Sequence, residues 1–215
     1  MTTVADGMRR AKALGVDRLD ANVLVPRPET ELLVDWALEL LAGALQRVAK
    51  PRVVDLGTGS GAIALAIKRA HPAASVLATD ISAAALAVAR HNAERLALDV
   101  AYSAGDWWPA VEGRRFDLAL SNPPYIAASD PHLDALRHEP ALALTPGGDG
   151  LEALRRIIDG APSHLEPGGW LLLEHGYDQA EAVRTLLREQ GFTMVETRLD
   201  LGGQPRCSGG RWPEF

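Results

Sequence analysis

The chain has 215 residues, of which 47% are hydrophobic and 23% are charged, and its formal net charge at pH 7 is −6. This composition is typical of a globular protein rather than of a disordered chain. The acidic balance argues against a surface that neutralises many phosphates, so we expect no direct contact with nucleic acid.

The cysteine content and the hydropathy of the chain bear on its compartment. A single cysteine, Cys207, excludes an intramolecular disulfide and a Cys-x-x-Cys metal pair, and we expect no metal site. No apolar run reaches the length of a membrane span, and the N-terminal residues lack the apolar stretch of a signal peptide. We therefore expect a monomeric cytoplasmic protein with no membrane partner.

The N-terminal part of the sequence predicts two helices with a turn-rich segment between them. Residues 2–14 are predicted to form a short helix that ends at Gly15. Pro26 and Pro28 predict extended backbone around Arg27. A second helix is predicted to begin near Thr30, with Thr30 as its cap. Its apolar side chains recur at helical spacing: Leu32, Leu33, Trp36, Leu40 and Leu41.

Beyond Pro51 the sequence alternates between strand and helix patterns. The predicted strands cover residues 52–56, 75–79, 100–103, 116–120, 169–174 and 192–197, and a last one starts at 205–207. The predicted helices cover residues 62–70, 83–96, 151–158 and 179–190. Such alternation predicts a parallel sheet with helices on both faces. Ligands of such sheets bind beyond the carboxyl ends of the strands, which makes four strand ends the candidate site.

The first predicted strand ends in a glycine-rich turn. Its glycines would let the backbone turn tightly and approach a ligand closely before a helix begins. The spacing Gly-x-Gly-x-Gly differs from the dinucleotide pattern, and a plain tight turn is the alternative interpretation. The candidate cofactor-binding residues of this turn are Gly57, Thr58, Gly59, Ser60 and Gly61.

Acidic residues follow the second and third predicted strands. Asp80 stands where a carboxylate can accept both hydroxyls of an adenosine ribose, or it could cap the next helix, a role that Ser82 could equally fill. Asp106 could accept from an adenine amino group while the Trp107 indole packs on the ring, or both could lie in an ordinary turn. A glycine turn, a ribose acceptor and an adenine contact on successive strand ends together favour an adenosyl cofactor.

The fourth strand end reads Ser121-Asn122-Pro123-Pro124-Tyr125. Neither proline can donate to a strand ladder and both fix φ, so the strand must stop here and the next turn is stiff. The prolines would hold the Pro123 carbonyl rigid beside the Asn122 side chain.

These motifs resemble those of class I S-adenosylmethionine-dependent methyltransferases whose fourth strand ends in Asn/Asp-Pro-Pro-Tyr. Within that group the chain is similar to the PrmC/HemK family, the protein-(glutamine-N5) methyltransferases of peptide-chain release factors. The resemblance runs from residue 22 to the end. It rests on residues 24–31 (LVPRPETE), 55–65 (DLGTGSGAIAL), 122–125 (NPPY), 139–140 (EP), 147–151 (GGDGL) and 168–170 (GGW).

The resemblance implies a fold, a domain organisation and a reaction. Residues 22–215 would form a Rossmann-like α/β catalytic domain with a mostly parallel seven-stranded sheet, and residues 1–21 would be the remnant of an N-terminal helical substrate-recognition domain. A methyl group would pass from S-adenosylmethionine, leaving S-adenosylhomocysteine, to the glutamine N5 of the Gly-Gly-Gln motif in class I release factors. Two alternatives remain: adenine-N6 methylation in nucleic acid, and a cofactor-binding module inactive through truncation.

The resemblance also assigns roles around the fourth strand end. The Asn122 side-chain oxygen and the Pro123 carbonyl would accept the two N–H bonds of the substrate amide, and Asn122 would also contact the cofactor. Tyr125 would pack over the amide plane, and Pro124 would stiffen the turn. We assign no general base, because the proton can leave to water, and the histidines 132, 138 and 175 carry no such role. Arg27, Glu29 and Thr30 would cover the cofactor or begin a helix, and the loop 127–150 would face the substrate.

Overall fold

The computed structural model describes residue 23, residues 28–128 and residues 144–214. The predicted helix at 2–14, the proposed remnant domain at 1–21, Arg27, His132, His138 and most of the loop 127–150 lie outside the described residues. None of the helices in this described part combines the length and the apolar character that a membrane crossing requires. Within the same ranges, no group of three His, Cys, Asp or Glu side chains is placed to hold a metal ion.

Helices and strands alternate along the described chain. The helices are α1 (Pro28–Ala42), α2 (Ala62–Ala70), α3 (Ala83–Leu96), α4 (Glu152–Gly160) and α5 (Ala180–Glu189). The strands are β1 (Arg52–Leu56), β2 (Ser75–Asp80), β3 (Ala101–Ala104), β4 (Phe116–Ser121), β5 (Leu165–Glu174), β6 (Thr193–Leu199) and β7 (Pro205–Arg211). Short 3₁₀ turns cover Trp108–Val111 and Ala161–Ser163. The predicted elements from residue 52 onward are therefore confirmed in type and order.

The differences from prediction are confined to the ends of elements. β5 begins at Leu165 rather than at 169, because Leu165 pairs with Phe116 of β4 and the strand then continues, with a register shift, through a Gly-Gly pair that looked like a turn. α1 begins at Pro28, and proline suits the first helical position because its missing N–H would have no partner there. Thr30 therefore lies inside the first turn of α1, and the prediction that it caps the helix is wrong.

The seven strands form one sheet in the order β3-β2-β1-β4-β5-β7-β6. The first five in that order are mutually parallel, whereas β7 runs antiparallel to both β5 and β6. Successive strands move outward from β1 to β3, and the chain then returns to place β4 on the other side of β1. The predicted class of a mostly parallel, seven-stranded Rossmann-like α/β domain is confirmed.

The core lies on both faces of the sheet because side chains alternate along each strand. One set of strand residues packs against α1, α2 and α3: Val53, Val76, Ala78, Leu118, Leu120 and Leu172. The residues next to them in sequence pack on the opposite face with α4 and α5: Val54, Leu56, Leu77, Ala119, Leu171 and Leu173. All six residues of β4 are buried, as expected for the centre of a sheet covered on both sides.

Trp108 packs the 3₁₀ turn after β3 against α4. Its indole Nε1 donates to the Ile157 carbonyl at 2.8 Å, and its ring stacks on His164 with 4.7 Å between centroids. A Cβ at Gly160 would lie 2.1 Å from Trp108 Cδ1, far inside van der Waals contact. The absence of a side chain at Gly160 therefore lets the tryptophan reach the core.

We expect Gly160→Ala to lower the free energy of unfolding by about 1–3 kcal/mol, because the new methyl group overpacks the Trp108 site. Urea denaturation would measure this change. The matched control is Gly202→Ala in an exposed turn, where the nearest atom to a new Cβ is the Asp200 Oδ1 at 3.1 Å. We expect that control to change stability by less than about 0.5 kcal/mol. Equal unfolding midpoints for the two variants would contradict the packing argument.

Candidate active site

Four parallel strands bring the predicted site residues to one edge of the sheet. Leu56, the last residue of β1, is in register with Thr79 in β2 and with Ser121 at the end of β4. Ser121 in turn is in register with Leu173 of β5. Because these strands end side by side, the glycine turn, Asp80 and Asn122 lie at one edge, as the topology rule for such sheets requires.

The glycine turn after β1 is held by its own backbone and side chains. Gly57, Gly59 and Gly61 have φ angles of 73°, 55° and 87°, in the left-handed region that favours glycine. The Thr58 N–H donates to the Thr79 carbonyl at 2.8 Å, and the buried Thr58 hydroxyl donates to Asp55 Oδ2 at 2.6 Å. No described atom lies within 4 Å of a Cβ built on Gly59, so this backbone is open to a ligand.

The buried Ser60 ties the same turn to α3. Its carbonyl accepts from the Asn92 side-chain N–H at 3.0 Å. Thr58 and Ser60 are both nearly inaccessible, so a ligand would meet this stretch through its backbone rather than through those two side chains.

Asp80 at the end of β2 organises the turn and does not cap α3. Its Oδ2 accepts from the Gly59 N–H at 2.9 Å, and its Oδ1 accepts from the Ser82 N–H at 2.8 Å. The cap is Ser82, whose hydroxyl accepts from the Ala85 N–H at 3.2 Å. A carboxylate offers about four acceptor positions, so both oxygens keep capacity for ligand hydroxyls. Burial raises the pKa of Asp80 above its ordinary value.

Sequence reasoning missed Asp55 as a site residue. Its carboxyl is fully buried, and its Oδ2 accepts from the Thr58 hydroxyl and from the Ala64 N–H at 3.2 Å. Its Oδ1 is buried with no hydrogen-bond partner among the described residues. Burial raises the pKa of Asp55 to about 7, against the lowering effect of the Thr58 hydrogen bond. The available signal was an acidic residue among the buried apolar residues near the end of a strand.

The third strand end separates two adjacent tryptophans. Trp107 has φ 57°, an uncommon conformation for a bulky residue, and its indole lies against Gly57, whose Cβ would be 3.0 Å from Trp107 Cζ3. Trp108 turns the other way into the core. Asp106 forms a half-exposed ion pair with Arg156, with 2.5 Å between Oδ2 and Nη2. The structure thus brings Trp107 to the glycine turn and gives Asp106 a partner that sequence reasoning did not foresee.

The Asn-Pro-Pro-Tyr segment is anchored at both ends. The Ser121 hydroxyl donates to the Leu56 carbonyl at 2.7 Å, which ties the end of β4 to the end of β1. The Gln179 side chain donates to the Tyr125 carbonyl at 2.9 Å. Gly150 packs beneath this carbonyl, because a Cβ there would lie 2.4 Å from the Tyr125 oxygen. The two prolines between these anchors therefore sit in a segment with little freedom to move.

A buried carboxyl at the end of β5 connects to this segment. The Thr30 hydroxyl donates to Glu174 Oε2 at 2.9 Å, and the Asn122 Nδ2 donates to the Thr30 oxygen at 3.3 Å. The Tyr125 hydroxyl donates to Glu174 Oε1 at 3.4 Å. Burial raises the pKa of Glu174 to about 7, and the hydrogen bonds from Thr30 and Tyr125 oppose that rise. Glu174 was not predicted either, although it carries the same signal as Asp55, an acidic residue at the end of an apolar stretch of strand.

Glu29 and His175 lie near this carboxyl in different roles. Glu29 Oε1 is 3.8 Å from a nitrogen of Arg206, and its Oε2 is buried without a hydrogen-bond partner among the described residues. His175 is buried, and its two ring nitrogens are within 2.8 Å of the Gly176 carbonyl and the Ser208 hydroxyl. A histidine with both nitrogens engaged is part of the packing, as expected.

The donor set of this edge fits an adenosyl ligand that carries a positive charge. Three features lie together at the ends of β1 and β2. They are the open glycine turn, the Asp80 carboxylate that could accept from ribose hydroxyls, and the buried Asp55 oxygen that has no hydrogen-bond partner among the described residues. Ile81, next to Asp80, is 64% exposed and offers an apolar surface at the same edge.

Comparison with solved structures supports the fold. A methyltransferase from Pyrococcus furiosus is 21% identical, with a TM-score of 0.70, and the match covers 99% of this chain and 96% of that one. A 16S rRNA methyltransferase from Thermus thermophilus, solved with AdoMet and guanosine, is 22% identical, with a TM-score of 0.61 over 91% of this chain and 44% of that one. Residues 31–149 match the Methyltransferase small domain family.

Sequence relatives are much closer. The release factor glutamine methyltransferase of Xylella fastidiosa is 56% identical over 200 residues, which cover 92% of this chain and 71% of that protein. The protein of the same name from Bordetella pertussis is 56% identical over 195 residues, which cover 89% of this chain and 71% of that protein. That of Pseudomonas aeruginosa is 50% identical over 194 residues, which cover 89% of this chain and 68% of that protein. With this identity over nearly its whole length, the chain belongs to the release factor glutamine methyltransferases.

Proposed function

We propose that this chain transfers a methyl group from S-adenosylmethionine to the side-chain nitrogen of a glutamine in class I peptide-chain release factors. The observation that carries the proposal is the orientation of the Asn122 carboxamide at the end of β4. Its NH₂ group donates to Thr30, so its oxygen is the end available to a substrate N–H. A glutamine side chain presents two such N–H groups.

The reaction requires a weak nucleophile to be held in line with the methyl group. An amide nitrogen is a poor nucleophile, because its lone pair is delocalised into the carbonyl. Two acceptors, the Asn122 oxygen and the Pro123 carbonyl, would orient that nitrogen and stabilise the positive charge that develops on it during transfer. The anchored segment supports this role, since acceptors that do not move cost no reorganisation when the charge develops.

The other residues of the segment complete the binding place for the amide. Tyr125 is half-buried beside Asn122, with its hydroxyl held by Glu174, which suits a ring that packs over a planar group. Pro124 keeps the chain between the two acceptors and the tyrosine stiff. No base is needed, because the proton can leave to water after transfer.

The methyl donor supplies an activated methyl group on a sulfonium. The turn 57–61 would hold it through its backbone, and Asp80 would accept from the ribose hydroxyls. Ile81 and Trp107 would pack against the adenine. Asp106 and Asn122 would border the same binding site. The fully buried Asp55 carboxylate lies beneath the turn and would stabilise the positive charge of the donor through the low-dielectric interior rather than by direct contact. A positive charge held nearby would favour the ionised carboxylate and so lower the raised pKa of Asp55.

Adenine-N6 methylation in nucleic acid is less well supported. An exocyclic amino group resembles a carboxamide in its two N–H donors, but the net charge of −6 opposes binding to a phosphate backbone. The relatives at 46–56% identity carry the release-factor name. We propose that the protein acts in the cytoplasm, on a release factor, as a monomer without direct contact to nucleic acid.

The test is incubation of the purified chain with S-adenosylmethionine labelled in its methyl group. The acceptors are a class I release factor, the same factor with the glutamine of its Gly-Gly-Gln motif changed to alanine, and adenine-containing DNA. We expect label in the unaltered factor alone. Label in DNA would favour the adenine alternative, and cofactor binding without transfer to any acceptor would favour an inactive binding module.

Replacing the ribose acceptor should weaken cofactor binding. We expect Asp80→Ala to lower the affinity for S-adenosylmethionine at least about tenfold by calorimetry, because a charge-assisted hydrogen bond contributes about 1.5–3 kcal/mol. The control is Asp99→Ala. It removes an exposed aspartate between α3 and β3, near the amino-terminal end of β3 and away from the carboxyl ends of the strands. Unchanged affinity in folded Asp80→Ala would remove Asp80 from the site.

Replacing the substrate acceptor should affect transfer far more than cofactor binding. We expect Asn122→Ala to lower kcat on a release factor by about 10²–10³, the usual effect of deleting one preorganised acceptor of developing charge. Steady-state kinetics at saturating cofactor would measure the loss, and calorimetry would show that the cofactor affinity stays within about threefold. Near-normal turnover by the folded variant would exclude the role of Asn122.

A further inference from the structure

Three side chains from distant parts of the sequence form one linear chain of hydrogen bonds. Asn122 follows β4, Thr30 lies in the first turn of α1, and Glu174 ends β5. The Asn122 Nδ2 lies 3.3 Å from Thr30 Oγ1, and Thr30 Oγ1 lies 2.9 Å from Glu174 Oε2. Thr30 is 3% exposed and Glu174 is fully buried, so water does not compete for the bond between them, whereas Asn122 at the other end is partly exposed.

The chemistry of the last member gives this chain a direction. An ionised carboxylate can only accept hydrogen bonds, so the Thr30 hydroxyl must donate its single proton to Glu174. The Thr30 oxygen can then only accept, and the group that it accepts from must be the NH₂ of Asn122. The Asn122 oxygen is thereby turned away from Thr30.

We propose that Glu174 is a positioning residue that fixes the orientation of the Asn122 carboxamide through the hydroxyl of Thr30. The inference rests on the proposed function, because the orientation matters for a substrate that presents N–H groups to Asn122. A carboxamide rotated by half a turn would place its own NH₂ where the substrate needs an acceptor, and two donors would then face each other.

The surroundings of Glu174 make its charge sensitive to pH near neutrality. Burial raises its pKa to about 7. Glu29 of α1 also raises the pKa, whereas Thr30, Tyr125 after β4 and Arg206 of β7 lower it, and the buried thiol of Cys207 faces it from β7. Protonation would let Glu174 donate to Thr30, which frees the Thr30 proton for the Asn122 oxygen. The direction of the hydrogen bonds, and with it the fixed orientation of the Asn122 carboxamide, would then be lost as the pH falls through about 7.

The kinetic test compares isosteric variants that break the chain at different links. Glu174→Gln places both a donor and an acceptor at the end of the chain, and Thr30→Val removes the hydroxyl without changing the side-chain shape. We expect each to lower kcat on a release factor by about 10–100-fold, in the range of a misplaced catalytic contact, with cofactor affinity and KM within about twofold. Thr30→Ser keeps the hydroxyl and should rescue most of the loss.

Two comparisons separate positioning from general damage. The double variant Thr30→Val/Glu174→Gln should lose no more than the worse single variant, because both changes break the same chain. The control is Thr193→Val, at the first residue of β6, away from the site. It removes a threonine hydroxyl that donates to the Arg211 carbonyl at 3.1 Å, and it should leave kcat unchanged.

The pH dependence supplies a readout that misfolding would not produce. The cofactor is kept saturating at every pH, so that the titration of Asp55 does not lower its occupancy. Under these conditions kcat of the unaltered chain should fall as the pH drops below about 7, and Glu174→Gln should not show this fall. The folded protein holds the Glu174 proton up to about pH 7 whereas the unfolded chain releases it near 4.5, so ionisation costs stability as the pH rises between these values. Glu174→Gln should therefore melt no lower than the unaltered chain at pH 8.

A spectroscopic measurement removes the dependence on substrate. The side-chain NH₂ resonances of Asn122, identified by their loss in Asn122→Asp, should shift with a midpoint near pH 7. This shift should be absent in Glu174→Gln and in Thr30→Val. The resonances report on the hydrogen-bond chain even if no release factor is methylated.

The outcomes distinguish the positioning role from the proposed function. An unaltered chain that methylates no release factor would overturn the proposed function and, with it, the catalytic meaning of the orientation. An active unaltered chain, with Glu174→Gln at full kcat and an unchanged pH profile, would overturn the positioning role alone. Additive losses in the double variant would also overturn it, because the two residues would then act independently.

Discussion

Parallel pairing of β2, β1, β4 and β5 is the constraint on which the site depends. A parallel set of strands ends on one edge, so each strand delivers its last residues to the same place. The register makes this delivery close, since Leu56 pairs with both Thr79 and Ser121. The hydrogen bond from Thr30 to Glu174 joins residues 144 positions apart, and the packing of α1 against β5 brings Thr30 to this strand end.

The same edge holds two carboxyl groups that the fold removes from water. Asp55 and Glu174 are both fully buried, and burial raises both pKa values to about 7. Hydrogen bonds from Thr58 and Ala64 offset part of this cost at Asp55, and those from Thr30 and Tyr125 do so at Glu174. A buried carboxyl destabilises a core unless it is paired. Two such groups at neighbouring strand ends therefore indicate a functional role, such as binding a ligand, rather than a structural one.

We propose that the two carboxyls serve different halves of the reaction. Asp55 adjoins the glycine turn, where a positively charged methyl donor would be held. Glu174 acts behind the Asn-Pro-Pro-Tyr segment, where the amide that receives the methyl group would bind. In both places the low-dielectric surroundings strengthen the remaining electrostatic contacts, and the anchored backbone around them keeps the acceptors in position before a substrate arrives.

The sequence by itself determined the alternation of strands and helices, the sheet class and the segments that form the site. Glycine spacing, the acidic residues at strand ends and the proline pair are local signals, because they report directly on backbone freedom and on where a strand must stop. Only the tertiary structure decided that Trp107 meets the glycine turn while Trp108 enters the core, that Asp106 pairs with Arg156, and that Thr30 joins Asn122 to Glu174. These outcomes depend on burial and on contacts between residues far apart in the chain, and a local pattern carries no information about which distant side chain will share a buried space.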